Sequence, residues 1–184
     1  MTEHESLRQL LLERSVRRGD FLLASGARSS YYIDCRLATM SAAGMVLIGR
    51  LGLGVIKATG WKPDGVGGLT MGADPVAYAI AAASYPAGTP IDAFSVRKES
   101  KDHGTGRSIE GNFKAGNKVV VVEDVITSGG SARKAVSAVQ EAGGTVLGVI
   151  AVVDREEGGK TVLEADGLQV TTLTTATQLG LRSS

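Results

Sequence analysis

The chain has 184 residues, and its 20 basic and 19 acidic side chains leave a formal net charge of +1. This length predicts one domain, which would bury roughly 70% of the unfolded chain's surface. The balance of charge disfavours nonspecific nucleic-acid binding, since that needs a strong positive field. A single cysteine, Cys35, excludes an intramolecular disulfide and is typical of a cytoplasmic protein, and only two histidines make a histidine-based metal cage implausible.

The N-terminal segment Met1–Asp20 is charged and predicts an amphipathic helix, with no targeting segment evident. Thr2 and Glu5 have the spacing of a capping box, which would start the helix. The residues expected to face inward are Leu7, Leu10 and Leu11.

The most hydrophobic stretch, Ala42–Ala58, is interrupted by Arg50, Lys57 and four glycines. These residues predict a packed helix rather than a membrane span. The glycines cost intrinsic helix stability, so they indicate either a close backbone contact or a break in the helix. Both alternatives stay open from the sequence.

The middle of the chain alternates strands and helices. Val66 begins a short strand, and a helix follows from Asp74 to Ala83, with Asp74 as its N-cap and a proline in its first turn. Ile91–Val96 predicts another strand. The segment 97–111 that follows is rich in glycine and charge, which predicts a mobile basic loop.

Four consecutive valines, Val119–Val122, predict a strand that is covered on both faces, as central parallel strands are. Glu123 and Asp124 follow, and Thr127–Ser131 then forms the turn into a helix that ends before Gly143. Free N–H groups and the helix dipole at that N-terminus suit a phosphate monoester. The two acids would repel the phosphate, so we expect them to face ribose hydroxyls, directly or through a divalent cation.

The last part of the chain adds a strand that ends at Val152–Arg155, and the tail after Lys160 predicts an edge strand. Alternating strands and helices call for an α/β fold with a mostly parallel sheet and right-handed crossovers. Ligands of such sheets lie beyond the carboxyl ends of the strands, where these polar segments emerge.

Several segments together resemble the type I phosphoribosyltransferases, and among them the orotate phosphoribosyltransferase family. The valine strand, the two acids and Thr-Ser-Gly-Gly-Ser resemble the family's PRPP-binding motif, and Arg-Lys-x-x-Lys-x-His-Gly from Arg97 resembles its catalytic loop. Phe21–Asp34 resembles the hood that closes over the base. Gly68–Pro75 has the position of the pyrophosphate loop, and Arg155 matches the orotate-binding arginine.

This resemblance implies the type I phosphoribosyltransferase fold for one domain, 1–184, with a hood from about 20–40 and a flexible catalytic loop, 97–111. It implies transfer of the phosphoribosyl group of PRPP to orotate, which yields orotidine 5'-monophosphate and pyrophosphate in UMP biosynthesis. It also implies Mg2+ as a cofactor held mainly by PRPP, and a homodimer in which each catalytic loop crosses to the neighbouring site. No nucleic-acid or membrane partner is expected.

The resemblance also assigns site residues. The catalytic residues are Lys101, His103, Glu123 and Asp124. The PRPP-binding residues are Arg97, Lys98, Lys101, His103, Glu123, Asp124, Val125, Ile126, Thr127, Ser128, Gly129, Gly130, Ser131, Met71 and Gly72. The orotate-binding residues are Thr127, Arg155, Tyr32 and Ile33. Many family members carry lysines at the positions of Ala24 and of the Met71-Gly72 pair, so here the pyrophosphate must rely more on backbone N–H groups, the metal and the basic loop.

Other classes of function fit the sequence less well. A nicotinamide-dependent dehydrogenase is disfavoured because Thr70 stands where the dinucleotide fingerprint needs its third glycine, and no Walker A sequence occurs. A phosphoribosyltransferase for another base, such as a purine, is the nearest enzymatic alternative. A non-catalytic PRPP-sensing regulator is the other alternative, although no nucleic-acid-binding surface is apparent.

Overall fold

A six-stranded, mostly parallel sheet forms the centre of the computed structural model, which describes residues 1–22, 28–98 and 108–182. The helices are α1 (Glu3–Arg14), α2 (Arg36–Thr39), α3 (Ala42–Thr59), α4 (Ala73–Ser84), α5 (Gly130–Glu141) and α6 (Gly159–Ala165). The strands are β1 (Val16–Leu22), β2 (Arg28–Ile33), β3 (Gly65–Leu69), β4 (Asp92–Val96), β5 (Ile109–Gly111), β6 (Lys118–Ile126), β7 (Thr145–Asp154) and β8 (Val170–Thr175).

The sheet has the strand order β5-β4-β3-β6-β7-β8. Neighbours from β4 to β8 are parallel, and β5 pairs antiparallel with β4. The predicted α/β class with a mostly parallel sheet is therefore confirmed, and so is the edge strand in the tail, which is β8. A separate antiparallel pair is formed by β1 and β2, and β2 lies within the segment predicted as the hood, about 20–40; the pair is called the hood below.

The central valines of β6 are covered on both faces, as predicted. Val120 and Val122 lie in a core shared with α3 and α4, whereas Val119 and Val121 lie in a second core shared with α5 and α6. Because side chains alternate along a strand, Glu123 continues the α5 side and Asp124 continues the α4 side. The two carboxyl groups therefore leave β6 in opposite directions near its carboxyl end.

The long helix α3 is unbroken and packs closely on α4. A Cβ at Gly49 would lie 2.5 Å from the carbonyl oxygen of Ala79, and one at Gly52 would lie 2.6 Å from Ile80 Cδ1. Close contact is thus the reason for these two glycines. By length and composition alone α3 could cross a membrane, but its inner side, which includes Ile48 and Ile56, is buried in the core of this protein.

Three predictions about elements were wrong. The helix expected over Met1–Asp20 ends at Arg14, because the following residues form β1 and pair with β2; its capping box is present. The N-cap of α4 is Gly72, not Asp74, whose carboxylate binds neighbouring hydroxyls instead. The end of the expected loop 97–111 forms β5, where buried Ile109 and the edge of β4 supply the packing.

Candidate active site

The turn between β6 and α5 forms a cradle of backbone groups, Thr127–Ser131. The N-cap of α5 is Gly129, with φ of +81°, a conformation that glycine adopts without strain, and no side chain caps the helix. The cradle lines a cavity of ≈ 250 Å³ together with Glu123 and Lys134. Uncapped N–H groups at a helix N-terminus attract anions, so this cavity suits a phosphate group.

A second glycine, Gly159, packs directly against the cradle. Gly159, at the start of α6, donates its N–H to the Thr127 carbonyl at 2.9 Å. A Cβ at position 159 would press against that carbonyl and would lie 2.6 Å from the N atom of Gly129. The shape of the cradle therefore depends on the absence of a side chain at position 159, the first residue of α6.

Glu123 brings an almost fully buried carboxyl group to this cavity. Its side-chain Oε1 has no hydrogen-bond partner among the described residues. Burial, and secondarily the charge of Asp124, raise the pKa of Glu123 to about 8. A carboxyl group with this pKa is mostly protonated at neutral pH, so Glu123 can both donate and accept a hydrogen bond.

Asp124 faces the loop between β3 and α4. Its Oδ1 accepts the N–H of Val125 at 2.9 Å, and burial raises its pKa against the opposing effect of that hydrogen bond. A Cβ at Gly72 would lie 2.5 Å from Asp124 Oδ1. A side chain at position 72 would therefore require the Asp124 carboxylate to shift.

The loop that carries Met71 and Gly72 is held by Asp74. The Asp74 carboxylate accepts hydrogen bonds from Thr70 Oγ1 at 2.6 Å and from Ser95 Oγ at 2.7 Å. The Thr70 N–H donates to Val96 O at 2.8 Å, so this loop and the end of β4 are joined. Met71 itself is exposed. The loop thus has a fixed shape without a basic side chain of its own.

Arg155 lies beside the cradle because β6 and β7 are adjacent, with Ile126 opposite Asp154. The Arg155 N–H donates to Ile126 O at 3.0 Å. Only 8% of its side chain is exposed, and its Nη2 lies 2.8 Å from Glu157 Oε1. The guanidinium carbon lies 5.1 Å from the centre of the Tyr31 ring. The Arg155 Nε is buried without a partner among the described residues.

The backbone after Arg155 is held in an unusual conformation. Glu156 has φ of +57°, which costs energy for a residue with a side chain. Three contacts hold it there: its N–H donates to Asp154 Oδ1, its carboxylate accepts from Thr177 N, and its carbonyl accepts from Arg182. This turn fixes the direction in which Arg155 and Glu157 leave the sheet.

The hood contributes residues of different kinds. Tyr32 is half-exposed and packs its ring 5.9 Å from that of Phe21. Ile33, in contrast, has a side chain buried in the core, so only its backbone is available for a ligand. Burial, and then the charge of Asp124, raise the pKa of the Cys35 thiol.

The basic residues after β4 line a second cavity, ≈ 490 Å³, which shares Gly130 and Lys134 with the phosphate cavity. Lys98 and Arg97 both line it, and Arg97 Nε lies 3.0 Å from Glu110 Oε1. The predicted catalytic residues Lys101 and His103 lie outside the described residues. A larger cavity of ≈ 760 Å³ lies at Ser108–Ala115, away from the cradle, so size alone does not identify the site.

The site fits a magnesium ion that is bound mainly through a substrate. Within residues 1–22, 28–98 and 108–182, no group of three or more metal-binding side chains comes together. The unpaired Oε1 of Glu123 nevertheless offers a carboxyl oxygen beside the phosphate cradle. Mg2+ commonly takes one or two carboxylates and completes its shell with substrate oxygens and water.

Several site residues escaped the sequence analysis: Lys134, Asp74, Gly159 and Tyr31. Lys134 had a usable signal, because a positive charge near a helix N-terminus opposes the dipole and so suggests an anion nearby. Asp74, Gly159 and Tyr31 carry no such signal in the sequence. Their roles come from contacts with residues distant along the chain, namely Ser95 for Asp74, the cradle for Gly159 and Arg155 for Tyr31.

Comparison with known proteins points to one family. The sequence model of the family described as "Phosphoribosyl transferase domain" matches residues 42–172. An orotate phosphoribosyltransferase of Aquifex aeolicus is 47% identical over 176 residues, covering 94% of this chain and 95% of that protein. One of Mycobacterium avium is 49% identical over 179 residues, covering 97% of both.

Solved structures agree with the sequence comparison. A crystal structure of the Mycobacterium tuberculosis H37Rv orotate phosphoribosyltransferase with Fe(III) dicitrate has a TM-score of 0.87 at 46% identity, covering 98% of this chain and 100% of that one. The same enzyme in complex with PRPP has a TM-score of 0.83 at 43% identity, with the same coverage. An adenine phosphoribosyltransferase of Leishmania donovani, at 14% identity and a TM-score of 0.66, shares the fold alone.

Proposed function

This chain belongs to the orotate phosphoribosyltransferases of the phosphoribosyltransferase family, and we propose that the site just described transfers the phosphoribosyl group of PRPP to orotate. The products are orotidine 5'-monophosphate and pyrophosphate, in pyrimidine biosynthesis. The observation that carries this proposal is the pairing of Ile126 with Asp154 in neighbouring strands. It sets a phosphate cradle and a buried arginine side by side, at a spacing of about 5 Å between strands.

The cradle Thr127–Ser131 binds the 5'-phosphate of PRPP through backbone N–H groups and hydroxyls. Glu123 and Asp124 bind the ribose hydroxyls and face the ring on which positive charge develops. Their burial supports this role, because a hydrogen bond in a water-poor site is stronger than one in water. Holding the sugar in this way lowers the entropic part of the barrier.

Orotate N1 releases its proton and attacks the anomeric carbon, and the bond from that carbon to the pyrophosphate oxygen breaks with its electron pair leaving on the oxygen. The configuration inverts without a covalent enzyme intermediate, and the proton from N1 balances the one that the departing pyrophosphate takes up. Arg97, Lys98, Lys101 and His103 neutralise the departing pyrophosphate, with Lys101 or His103 as its proton donor. Backbone groups at Met71 and Gly72 bind the same group, held in place by Asp74. Such preorganised donors stabilise charge that develops in the transition state.

Mg2+ is the proposed cofactor, and when bound it supplies positive charge to the pyrophosphate and ribose oxygens. Glu123, whose unpaired Oε1 lies beside the cradle, would hold it after releasing its proton, together with the oxygens of PRPP. In the part of the chain that the structure describes, no cluster of three or more metal-binding side chains forms, so PRPP would supply most of the ligands of this ion.

Arg155 selects the base through the carboxylate that orotate carries and uracil lacks. A planar guanidinium can pair with a carboxylate through two N–H groups, which a lysine cannot do. The unpaired Nε of Arg155 supports this role, since it leaves a donor for the ligand. Thr127 and the backbone at Tyr32 and Ile33 complete the orotate site.

The proposed assembly is a cytoplasmic homodimer in which each catalytic loop reaches the neighbouring site. A mostly apolar groove between α3 and α4 supports a dimer, because exposed apolar surface is often covered by a second subunit. The groove is lined by Met45, Val46, Arg50, Ala79 and Ala83. The buried free thiol of Cys35 is typical of a reducing compartment.

A base panel tests the function. The protein, PRPP and Mg2+ are incubated with orotate, uracil, hypoxanthine or adenine, and loss of orotate absorbance is followed. Only orotate should be consumed, and Arg155→Ala should weaken orotate while leaving PRPP affinity nearly unchanged, at a cost on the order of 2–5 kcal/mol. Lys160→Ala, which removes an exposed ion pair with Glu164, is the control. Turnover of a purine with orotate inert would overturn the assignment.

A further inference from the structure

Arg155 is held in place by groups on two different parts of the molecule. The Tyr31 ring on β2 of the hood covers the face of the guanidinium, with 5.1 Å between the ring centre and Cζ. Glu157, two residues along the chain, forms an ion pair with it, with 2.8 Å between Nη2 and Glu157 Oε1. One face and one edge of the Arg155 guanidinium are thus both in contact with protein groups. These contacts restrict the rotamers of the Arg155 side chain.

One donor of this restrained guanidinium is left over. Nε is buried and has no partner in the part of the chain that the structure describes. Buried polar groups are almost always paired, so an unpaired one at a ligand site indicates a donor that the ligand completes. The ion pair with Glu157 is made through Nη2, so the unpaired Nε–H is the donor left for a carboxylate oxygen.

From these contacts we infer that Tyr31 is a positioning residue, which together with Glu157 orients the Arg155 guanidinium toward the carboxylate of the base. This inference rests on the proposed function, in which Arg155 binds that carboxylate. It goes further, because it makes recognition of the base depend on the hood strand β2. Tyr31 acts through its ring face and not through contact with the ligand.

The chemistry of the contact supports Tyr31 over a plain packing role. A cation over an aromatic face is attracted by the ring quadrupole, most strongly where water is excluded. Tyr31 is 7% exposed and Arg155 is 6% exposed, so the contact is dry on both sides. A ring is therefore required at position 31, whereas the phenol hydroxyl is not.

Binding of two nucleotides by calorimetry tests the inference. Orotidine 5'-monophosphate carries the carboxylate, whereas UMP has the same phosphate and ribose without it. Tyr31→Leu should weaken orotidine 5'-monophosphate about 5- to 30-fold, the range expected for a desolvated cation–π contact. UMP and PRPP affinities should stay within about 2-fold, and Tyr31→Phe should restore the wild-type preference because the ring remains.

A second variant keeps the test decisive if Tyr31→Leu perturbs folding of the hood. Glu157→Ala should also weaken orotidine 5'-monophosphate selectively, and the matched control Glu164→Ala should not, because Glu164 lies on α6 and pairs only with Lys160 among the described residues. Tighter binding by Glu157→Ala would overturn the positioning role, since Glu157 would then compete with the ligand.

The outcomes separate this inference from the function on which it rests. If Arg155→Ala weakens both nucleotides equally, or neither, Arg155 does not bind the carboxylate and the proposed site is wrong. If Arg155→Ala removes the preference for orotidine 5'-monophosphate but Tyr31→Leu weakens both nucleotides equally, the site stands and only the role of Tyr31 is refuted.

Discussion

The buried carboxyl group of Glu123 should make the ligand-free protein less stable as pH rises. Its pKa is raised from 4.5 to about 8, mainly by burial. Between these values the folded protein holds a proton that the unfolded chain has released, so the free energy of unfolding falls with rising pH. Stability is complete below the unfolded pKa and is lost as pH approaches the folded one.

The size of this effect follows from the shift. Each pH unit within the window costs about 1.4 kcal/mol, so about 3 kcal/mol is lost between pH 4.5 and pH 7. Glu123→Gln keeps the shape of the protonated group and cannot ionise. It should therefore leave stability nearly unchanged at pH 5 and raise the free energy of unfolding by about 3 kcal/mol at pH 7.

Urea denaturation provides the measurement, with fluorescence of the single tryptophan, Trp61, as the probe at fixed protein concentration. Glu164→Gln, on exposed α6, is the control and should not change the pH dependence. The reasoning would be refuted if the difference between Glu123→Gln and wild type were equal at the two pH values, or larger at pH 5.

Other predictions concern the loops. Asp74→Ala removes the acceptor for two hydroxyls and should weaken PRPP about 10-fold by calorimetry while sparing orotidine 5'-monophosphate, which lacks pyrophosphate; equal losses would argue against a positioning role. Gly159→Ala should weaken both ligands and cost about 1–3 kcal/mol of stability in urea denaturation, unlike Gly54→Ala, whose Cβ meets nothing; similar effects would contradict the packing argument. Lys101→Ala should lower turnover about 100- to 1000-fold. Mixing it with an inactive Asp124→Asn variant should restore activity if each loop serves the neighbouring subunit, because one site of a mixed dimer then carries both changes and the other carries neither. An inactive mixture, with subunit exchange confirmed by native mass spectrometry, would exclude crossing.

The local pattern of the chain determined the main elements and the cradle. Four valines specify a strand that is buried on both faces, and Thr127–Ser131 can only begin the next helix with its N–H groups free. The capping box at Thr2 and the arginine after β7 were visible for the same reason. These features depend on neighbours within a few residues, which a sequence displays directly.

Tertiary contacts decided what remained. The residues after Arg14 form β1, not helix, because β2 provides a strand to pair with. Asp74 does not cap α4, because its carboxylate accepts a hydrogen bond from Ser95 on another strand. The raised pKa of Glu123 also comes from burial by distant segments. The contact of Tyr31 with Arg155 joins two positions that are far apart in the chain. No local pattern encodes such a pairing, because it exists only once the hood has packed on the sheet.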